Sequence, residues 1–288
     1  MSRILSLLRV KQWIKNAFVF VAAFFGKALT LANLHDLCIA FISFCFISSA
    51  VYILNDYRDL EQDRMHPKKS KRPLASGEVS IVTAVITAIL LATSSLLLAG
   101  LVQYQSLLYL LLLYAVINIF YSFGLKKVAI VDLILVSSGF VLRVIGGAVV
   151  VNVVVSFWLL LMTFLFSMFI VIGKRRDDFK YGSENANQLR LVNKSYSLAF
   201  LDYSILIFST LLLVCYVMYT YFSPYFSSNI YWALISNVLV FMGLMRYLQT
   251  IFVEDKGGSP TEFAFKDKFI KIVLLLWAMV FAYLIYFK

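Results

Sequence analysis

The sequence predicts an all-α fold: a polytopic membrane bundle of about nine helices, in a single domain over residues 1–288. Three observations predict it. Of 288 residues, 62% are hydrophobic and 14% charged, with a mean hydropathy of +0.87; soluble domains do not have that composition. Nine apolar runs each approach the ~20 residues that a helix needs to cross a bilayer. The charges between the runs are sorted to one side.

The runs are 13–31, 37–54, 81–102, 107–123, 131–151, 155–172, 198–222, 230–247 and 269–287. Connections at 32–36, 103–106, 152–154 and 223–229 are short and nearly uncharged, whereas the N-terminus and the loops at 55–80, 124–130, 173–197 and 248–268 are long or basic. Of the 26 Lys and Arg, only Lys27, Arg143 and Lys288 fall outside that second set. By the positive-inside rule this face is cytoplasmic, so the chain is expected in the inner (plasma) membrane with its C-terminus outside. The same rule accounts for the net charge of +11, which in a soluble chain would suggest nucleic acid; no nucleic-acid partner is expected. Acids contribute little to topology, yet of 15 Asp and Glu only Asp36 lies on the far face. A chemical site at the cytoplasmic mouth would explain that clustering. Cys38, Cys45 and Cys215 lie in apolar runs without a CxxC pair and read as core or lipid-facing residues. No separate cleavable leader is expected, since the first run begins near Trp13 and flows into the rest.

The most informative stretch is 55–77, NDYRDLEQDRMHPKKSKRPLASG. Asp56, Asp59 and Asp63 are spaced i, i+3, i+7, which places them along one face of a helix, with Asn55 one turn before Asp59. Like charges on one face call for a cation. A stripe of oxygen ligands suits Mg²⁺, which keeps several waters and bridges to substrate phosphates. Lys68, Lys69, Lys71 and Arg72 follow, so metal and cations could hold a diphosphate from two sides. The face is expected to be solvated when empty. The plainer reading is a solvated loop with a positive-inside cluster; it explains the lysines better than the acidic register.

Other polar residues interrupt the apolar runs. RVKQWIKN places Arg9, Lys11, Lys15 and Asn16 at the start of the first run, with Trp13 a candidate interfacial anchor. Lys15 either faces the bundle interior with Asn16 or snorkels to the headgroups. Asn118, Tyr121 and Ser122 make the end of the fourth run polar, and Lys126 and Lys127 follow. Asp132 and Arg143 lie three turns apart on nearly one face of the fifth run. An arginine at that depth costs about 2.5–3.5 kcal/mol on insertion scales, so it needs a paired or wet interior, as a structural bond or a substrate contact. Gly139, Gly146 and Gly147 around it would let a neighbouring helix come close. After the sixth run, GKRRDD combines Lys174, Arg175 and Arg176 with Asp177 and Asp178. It suggests a second acidic site across a shared cavity. SPTE (259–262) reads as a capping box for the last helix.

NDxxDxxxD followed by HPxKxxRPxASG resembles the first aspartate-rich motif of the UbiA-type intramembrane prenyltransferase superfamily. The quinone and haem branches typically carry a DxxxD-like motif after the sixth span; this chain has GKRRDD there. RVKQWIKN, YSFGLKKVAIVD, SGFVLRVIGGA and GKRR together resemble the decaprenyl-phosphate phosphoribosyltransferase branch, over most of 9–176 and weakly at SPTEFAFKDK. That branch transfers 5-phosphoribose from phosphoribosyl diphosphate (PRPP) to a polyprenyl phosphate and releases diphosphate.

The resemblance implies Mg²⁺ as cofactor, with Asp56, Asp59 and Asp63 as catalytic acids and, with Asn55, as ligands of a Mg²⁺–diphosphate. Asp177 and Asp178 complete the candidate metal set. Lys68, Arg72, Lys126, Lys174 and Arg175 would hold phosphates, and Lys15, Asn16, Tyr121, Asp132 and Arg143 complete the candidate substrate-binding set. The implied partners are PRPP, a polyprenyl phosphate and the bilayer, with a homo-oligomer as a further candidate. Competing readings are a prenyltransferase with a prenyl diphosphate donor and an aromatic acceptor, a transporter with Arg143 and Asp132 on an ion path, and a non-catalytic scaffold. The acids gather at one face instead of the midplane, which disfavours a transporter. A scaffold gives no reason for the acidic register.

Overall fold

The computed structural model describes residues 3–65, 69–101, 104–183, 195–226, 230–254 and 267–287. Among them there is no β-strand. In chain order the helices are α1 (Arg3–Leu7), a 3₁₀ stretch (Val10–Phe18), α2 (Val19–Phe25), α3 (Leu31–Arg58), α4 (Leu60–Arg64), α5 (Ile81–Leu101), α6 (Gln105–Phe123), α7 (Val131–Val150), α8 (Phe157–Ser183), α9 (Leu198–Phe222), α10 (Ile230–Phe252) and α11 (Lys268–Ala282). A π-turn, Tyr283–Phe287, extends α11. Eight helices among the described residues are long and apolar enough to cross a membrane. The protein is a multi-pass membrane protein. The chain divides into two compact units, residues 1–155 and 156–288.

The first unit is built on α3. No Gly or Pro interrupts its 28 residues, so the helix runs unbroken from the apolar stretch into the polar NDYR. Its small residues, Ala40, Ser43, Ser48 and Ser49, are buried and admit close neighbours. α5, α6 and α7 pack against it. Phe44, Ile47 and Leu37 meet Leu107, Leu111 and Tyr114 of α6 in one core, and Ser95 of α5 donates to the Ser43 carbonyl at 2.8 Å.

The first expected span differs from the reading of nine. It is a nine-residue 3₁₀ stretch followed by the short α2. Runs of 3₁₀ this long are uncommon, and side-chain partners account for this one. In a 3₁₀ helix residues i and i+3 eclipse, so Trp13, Asn16 and Val19 form one line. Trp13 donates to Ser49 at 3.0 Å. Asn16 donates to Cys45 Sγ at 3.1 Å and Ser48 at 3.4 Å. Val19 is fully buried. At about 2.0 Å per 3₁₀ residue and 1.5 Å per α residue, the two pieces reach roughly 28 Å, close to the ~30 Å hydrocarbon thickness.

Val19 packs where α7 carries Gly147. A Cβ at Gly147 would lie 2.6 Å from the Val19 carbonyl carbon, so backbone meets backbone with no flexible group to yield. Gly147→Ala is expected to lower stability by about 1–3 kcal/mol through overpacking. Gly100→Ala is the control, because a Cβ there meets nothing within 4 Å. Thermal unfolding in detergent, followed by tryptophan emission, should drop for the first variant and hold for the second.

In the second unit α8 packs on α9, and α10 on α11 and α9. A buried polar node ties three helices: Trp277 donates to Tyr216 at 2.7 Å, and Tyr216 bonds Ser236. Helix α8 continues about ten residues past the apolar run, so GKRRDD is helical and not a loop. The last helix begins at Lys268. Asp267 caps it by accepting from the Ile270 N–H at 2.9 Å, and SPTE lies outside the described residues.

Candidate active site

The acidic motif straddles the end of α3. Asp59 leaves helical geometry at φ −97°, ψ 9°, so Asp56, Asp59 and Asp63 do not sit on one uninterrupted helix as their spacing suggested. The i→i−4 bonding persists across the break: Asp59 N to Asn55 O at 3.0 Å, and Asp63 N to Asp59 O at 2.8 Å. The acids therefore stay close to register, in two groups.

Asp56 and Asp63 form the first group. Arg72 Nη1 stands 3.0 Å from Asp56 Oδ1 and 2.5 Å from Asp63 Oδ2. Arg9 Nη2 pairs with the same Asp56 oxygen, and Lys69 Nζ lies 3.9 Å from Asp63 Oδ1. The expectation of a solvated face is corrected here: Asp56 is 4% and Asp63 2% exposed. Burying a carboxylate is costly unless it is paired and hydrogen-bonded, and the two arginines and Lys69 supply the pairing. Asp59 forms the second group. It pairs with Lys126, which is also 3.3 Å from Asn55 Oδ1, while Asn55 Nδ2 donates to Asp59 at 3.3 Å.

The cations arrive from three segments, each with its own anchor. Arg72 opens the turn RPLASG, in which Ser76 N bonds Arg72 O at 2.8 Å and Val79 N bonds Pro73 O at 3.0 Å. Leu74 of that turn and Val79 just beyond it are buried with Leu7, Ile53 and Ala84. That apolar cluster holds the loop against α3 and α5, and through Leu7 it holds α1 as well. Lys126 sits in the 3₁₀ turn Leu125–Lys127 that follows α6. Arg9 follows α1. Sequence reasoning had not singled out Arg9 as a site residue, and it named Lys69 only within the basic run. Their only signal was RVKQWIKN for Arg9 and the lysine run for Lys69.

Lys68 lies outside the described residues. Lys15 is half-buried in the 3₁₀ stretch, Tyr121 is half-buried near the end of α6, and Asp132 is fully buried at the start of α7. Asn16 and Arg143 meet elsewhere, in the core of the first unit. Arg143 Nε donates to Asn16 Oδ1 at 2.6 Å, Nη1 to the Gly139 carbonyl at 2.6 Å, and Nη2 to Tyr114 at 2.9 Å. Phe44, Tyr114 and Phe140 lie around the guanidinium within 6 Å. Of the two readings of Arg143, this geometry supports the structural one, with Asn16 as its partner.

In the second unit Lys174 is exposed, and Arg175 is buried with Nη1 3.8 Å from Asp178 Oδ2. Asp177 is buried. Adjacent residues on a helix diverge by about 100°, so Asp177 and Asp178 start out toward different sides of α8. Arg176 was not among the candidates; it bonds Asp202 at 2.5 Å and lies over the Phe252 ring.

Among the described residues no three His, Cys, Asp or Glu side chains are grouped to hold a metal ion. The two-carboxylate group still fits Mg²⁺. One cationic atom, Arg72 Nη1, already stands within bonding distance of both Asp56 and Asp63, and Mg²⁺ is usually held by one or two carboxylates with waters and substrate phosphate completing the shell.

The profile of the UbiA prenyltransferase family matches residues 16–270. The chain belongs to the UbiA prenyltransferase family. It is 32% identical over 284 residues to a decaprenyl-phosphate phosphoribosyltransferase of Corynebacterium glutamicum, covering 97% of this chain and 85% of that one. It is 31% identical over 301 residues to the enzyme of the same name from Mycolicibacterium smegmatis, covering 100% and 93%. A UbiA homologue from Archaeoglobus fulgidus, solved with DMAPP and Mg²⁺, shares the fold with a TM-score of 0.74 at 19% identity over 99% of each chain; a UbiA homologue from that organism has also been solved with Cd²⁺. As a UbiA-family member the protein is a membrane-embedded transferase, and its NDxxDxxxD stretch forms the acidic group at the end of α3.

Proposed function

We propose that the protein transfers 5-phosphoribose from PRPP to a polyprenyl phosphate, releasing diphosphate, with Mg²⁺ as cofactor. The observation that carries this reading is the surplus of cations at the acidic motif: Arg9, Lys69, Arg72 and Lys126 against Asp56, Asp59 and Asp63. A donor with phosphate at both ends and a lipid phosphate acceptor together bring more negative charge than a single prenyl diphosphate. The near full-length similarity to the two phosphoribosyltransferases agrees with this. The reading of one domain over 1–288 goes with it, since the family match crosses the boundary between the two units.

A polyprenyl phosphate oxygen attacks C1 of the ribose as the C1–O bond to diphosphate breaks. The electron pair leaves with the diphosphate, and no proton need be removed, because the attacking phosphate is already anionic. Positioning and electrostatics then carry most of the catalysis. When bound, Mg²⁺ neutralises charge building on the leaving diphosphate. Asp56 and Asp63 would hold it, with Asp59 and Asn55 beside them. Arg72, Lys69 and Lys126 would bind the diphosphate, and Lys174 and Arg175 are proposed as further phosphate ligands. The charge distribution between the apolar runs supports a plasma-membrane location with this face cytoplasmic.

Purified protein offered labelled PRPP with a polyprenyl phosphate should yield labelled lipid. Chelation of divalent cations should abolish the labelling, and added Mg²⁺ should restore it. Arg175→Lys should raise KM for PRPP while sparing the lipid phosphate, since lysine lacks the planar fork. Homologues of this fold solved with DMAPP and GPP motivate the parallel arm, a prenyl diphosphate with an aromatic acid. Prenylation there, with no PRPP-dependent lipid labelling, would replace the proposal.

A further inference from the structure

The backbone around Arg9 has an unusual conformation. Arg9 is left-handed, at φ 51°, ψ 45°, a region that a residue with a Cβ rarely adopts. Such residues persist where their surroundings over-determine them, and they cluster at functional sites. The surroundings here are fixed on both sides. Leu7 is buried in the cluster with Leu74 and Ile53. The Leu8 carbonyl accepts from Ser49 at 2.8 Å, and Trp13 donates to the same hydroxyl at 3.0 Å. Gln12 N closes the turn on Arg9 O at 2.7 Å. Between these anchors the left-handed residue directs its side chain over the Tyr52 ring, 5.2 Å from the centroid, to Asp56.

Two guanidinium groups then share one oxygen, Asp56 Oδ1. One would suffice to neutralise the carboxylate. Arg72 is held there twice over, because it also bonds Asp63, whereas among the described residues Arg9 pairs with Asp56 alone. Asp56 is nearly inaccessible, but the Arg9 side chain keeps 23% exposure, so it has room to turn.

We infer that Arg9 is an anion ligand of the donor's diphosphate, held in reserve on Asp56 until a divalent cation takes that carboxylate. This deepens the reading of the acidic motif as a metal–diphosphate site and rests on it, without depending on which donor carries the diphosphate. Metal and guanidinium compete for Asp56 Oδ1. Metal binding releases the Arg9 fork beside the anion that the metal holds, and the fork matches a phosphate. Arg9 therefore opposes metal binding in the empty site and favours anion binding in the loaded one. A residue of merely structural value would not act with opposite sign on the two ligands.

The test uses the full-length protein in detergent with Mn²⁺ and inorganic diphosphate as probes. Free Mn²⁺ is followed by electron paramagnetic resonance and diphosphate by titration calorimetry. In Arg9→Gln, affinity for Mn²⁺ alone should rise several-fold. Diphosphate affinity at saturating Mn²⁺ should fall about tenfold, the scale of one lost charge-assisted bond. Arg9→Lys, which keeps the charge without the fork, should bind Mn²⁺ as wild type does and diphosphate more weakly. If both affinities move in the same direction or neither moves, while wild-type diphosphate binding still depends on Mn²⁺ and on Asp63, the role of Arg9 is overturned and the site reading stands. If wild-type diphosphate binding is indifferent to Mn²⁺, both are overturned.

Discussion

Asp56→Asn is expected to reduce turnover by at least about 10²-fold and, at the same time, to lower the melting temperature. The loss of turnover follows from its proposed place on the metal–diphosphate. The loss of stability follows from burial: Asp56 is 4% exposed and accepts from Arg9 and Arg72 on one oxygen. An amide in its place keeps the volume but takes the counter-charge from Arg9 and leaves Arg72 with Asp63 alone. Partial exposure of both arginines limits the cost to about 1–3 kcal/mol. Asp59→Asn provides the contrast. Its carboxylate is 21% exposed and pairs with one lysine, so its variant should lose turnover on a similar scale while melting close to wild type. Both activity and thermal unfolding should be measured on the same detergent preparation. Near-normal turnover in Asp56→Asn, with only the melting temperature lowered, would assign the acid to structure.

Arg143→Met should cost about 2–3 kcal/mol of stability and leave KM for both substrates unchanged in the folded fraction. All three nitrogens of the guanidinium are engaged, with Asn16, Gly139 and Tyr114. Methionine fills much of the volume but strands the Asn16 amide oxygen and the Tyr114 hydroxyl, and buried polar groups without partners are expensive. The consequence reaches the N-terminal segment, because Asn16 is the middle residue of the line Trp13–Asn16–Val19 that fixes the 3₁₀ stretch. Increased proteolytic cleavage near residues 10–18 should therefore accompany the lower melting temperature. An unchanged melting temperature with a raised KM would instead return Arg143 to the substrate.

These two residues illustrate what could be read locally and what could not. Eight of the helices follow from composition alone, because a backbone in hydrocarbon must satisfy its hydrogen bonds within the segment and twenty apolar residues have little choice but helix. Their ends extended further than the apolar runs, most visibly in α8, because i→i−4 bonding continues into polar residues once a helix is under way, and in α8 it passes Gly173 without a break. The acidic motif was legible for the same reason: Asp56, Asp59 and Asp63 belong to consecutive turns, so spacing carries the information. The N-terminal stretch was not. Whether residues 10–18 wind as α or 3₁₀ is a small difference in local energy, and it was settled by Ser49, Cys45, Ser48 and Arg143, all at least 29 residues away. Arg9 and Arg143 were ambiguous for a related reason. A lone arginine near an apolar run has no periodicity to interpret, and its role depends on which partner the packing of distant segments brings to it: a core amide and a tyrosine for Arg143, and the buried carboxylate of Asp56 for Arg9.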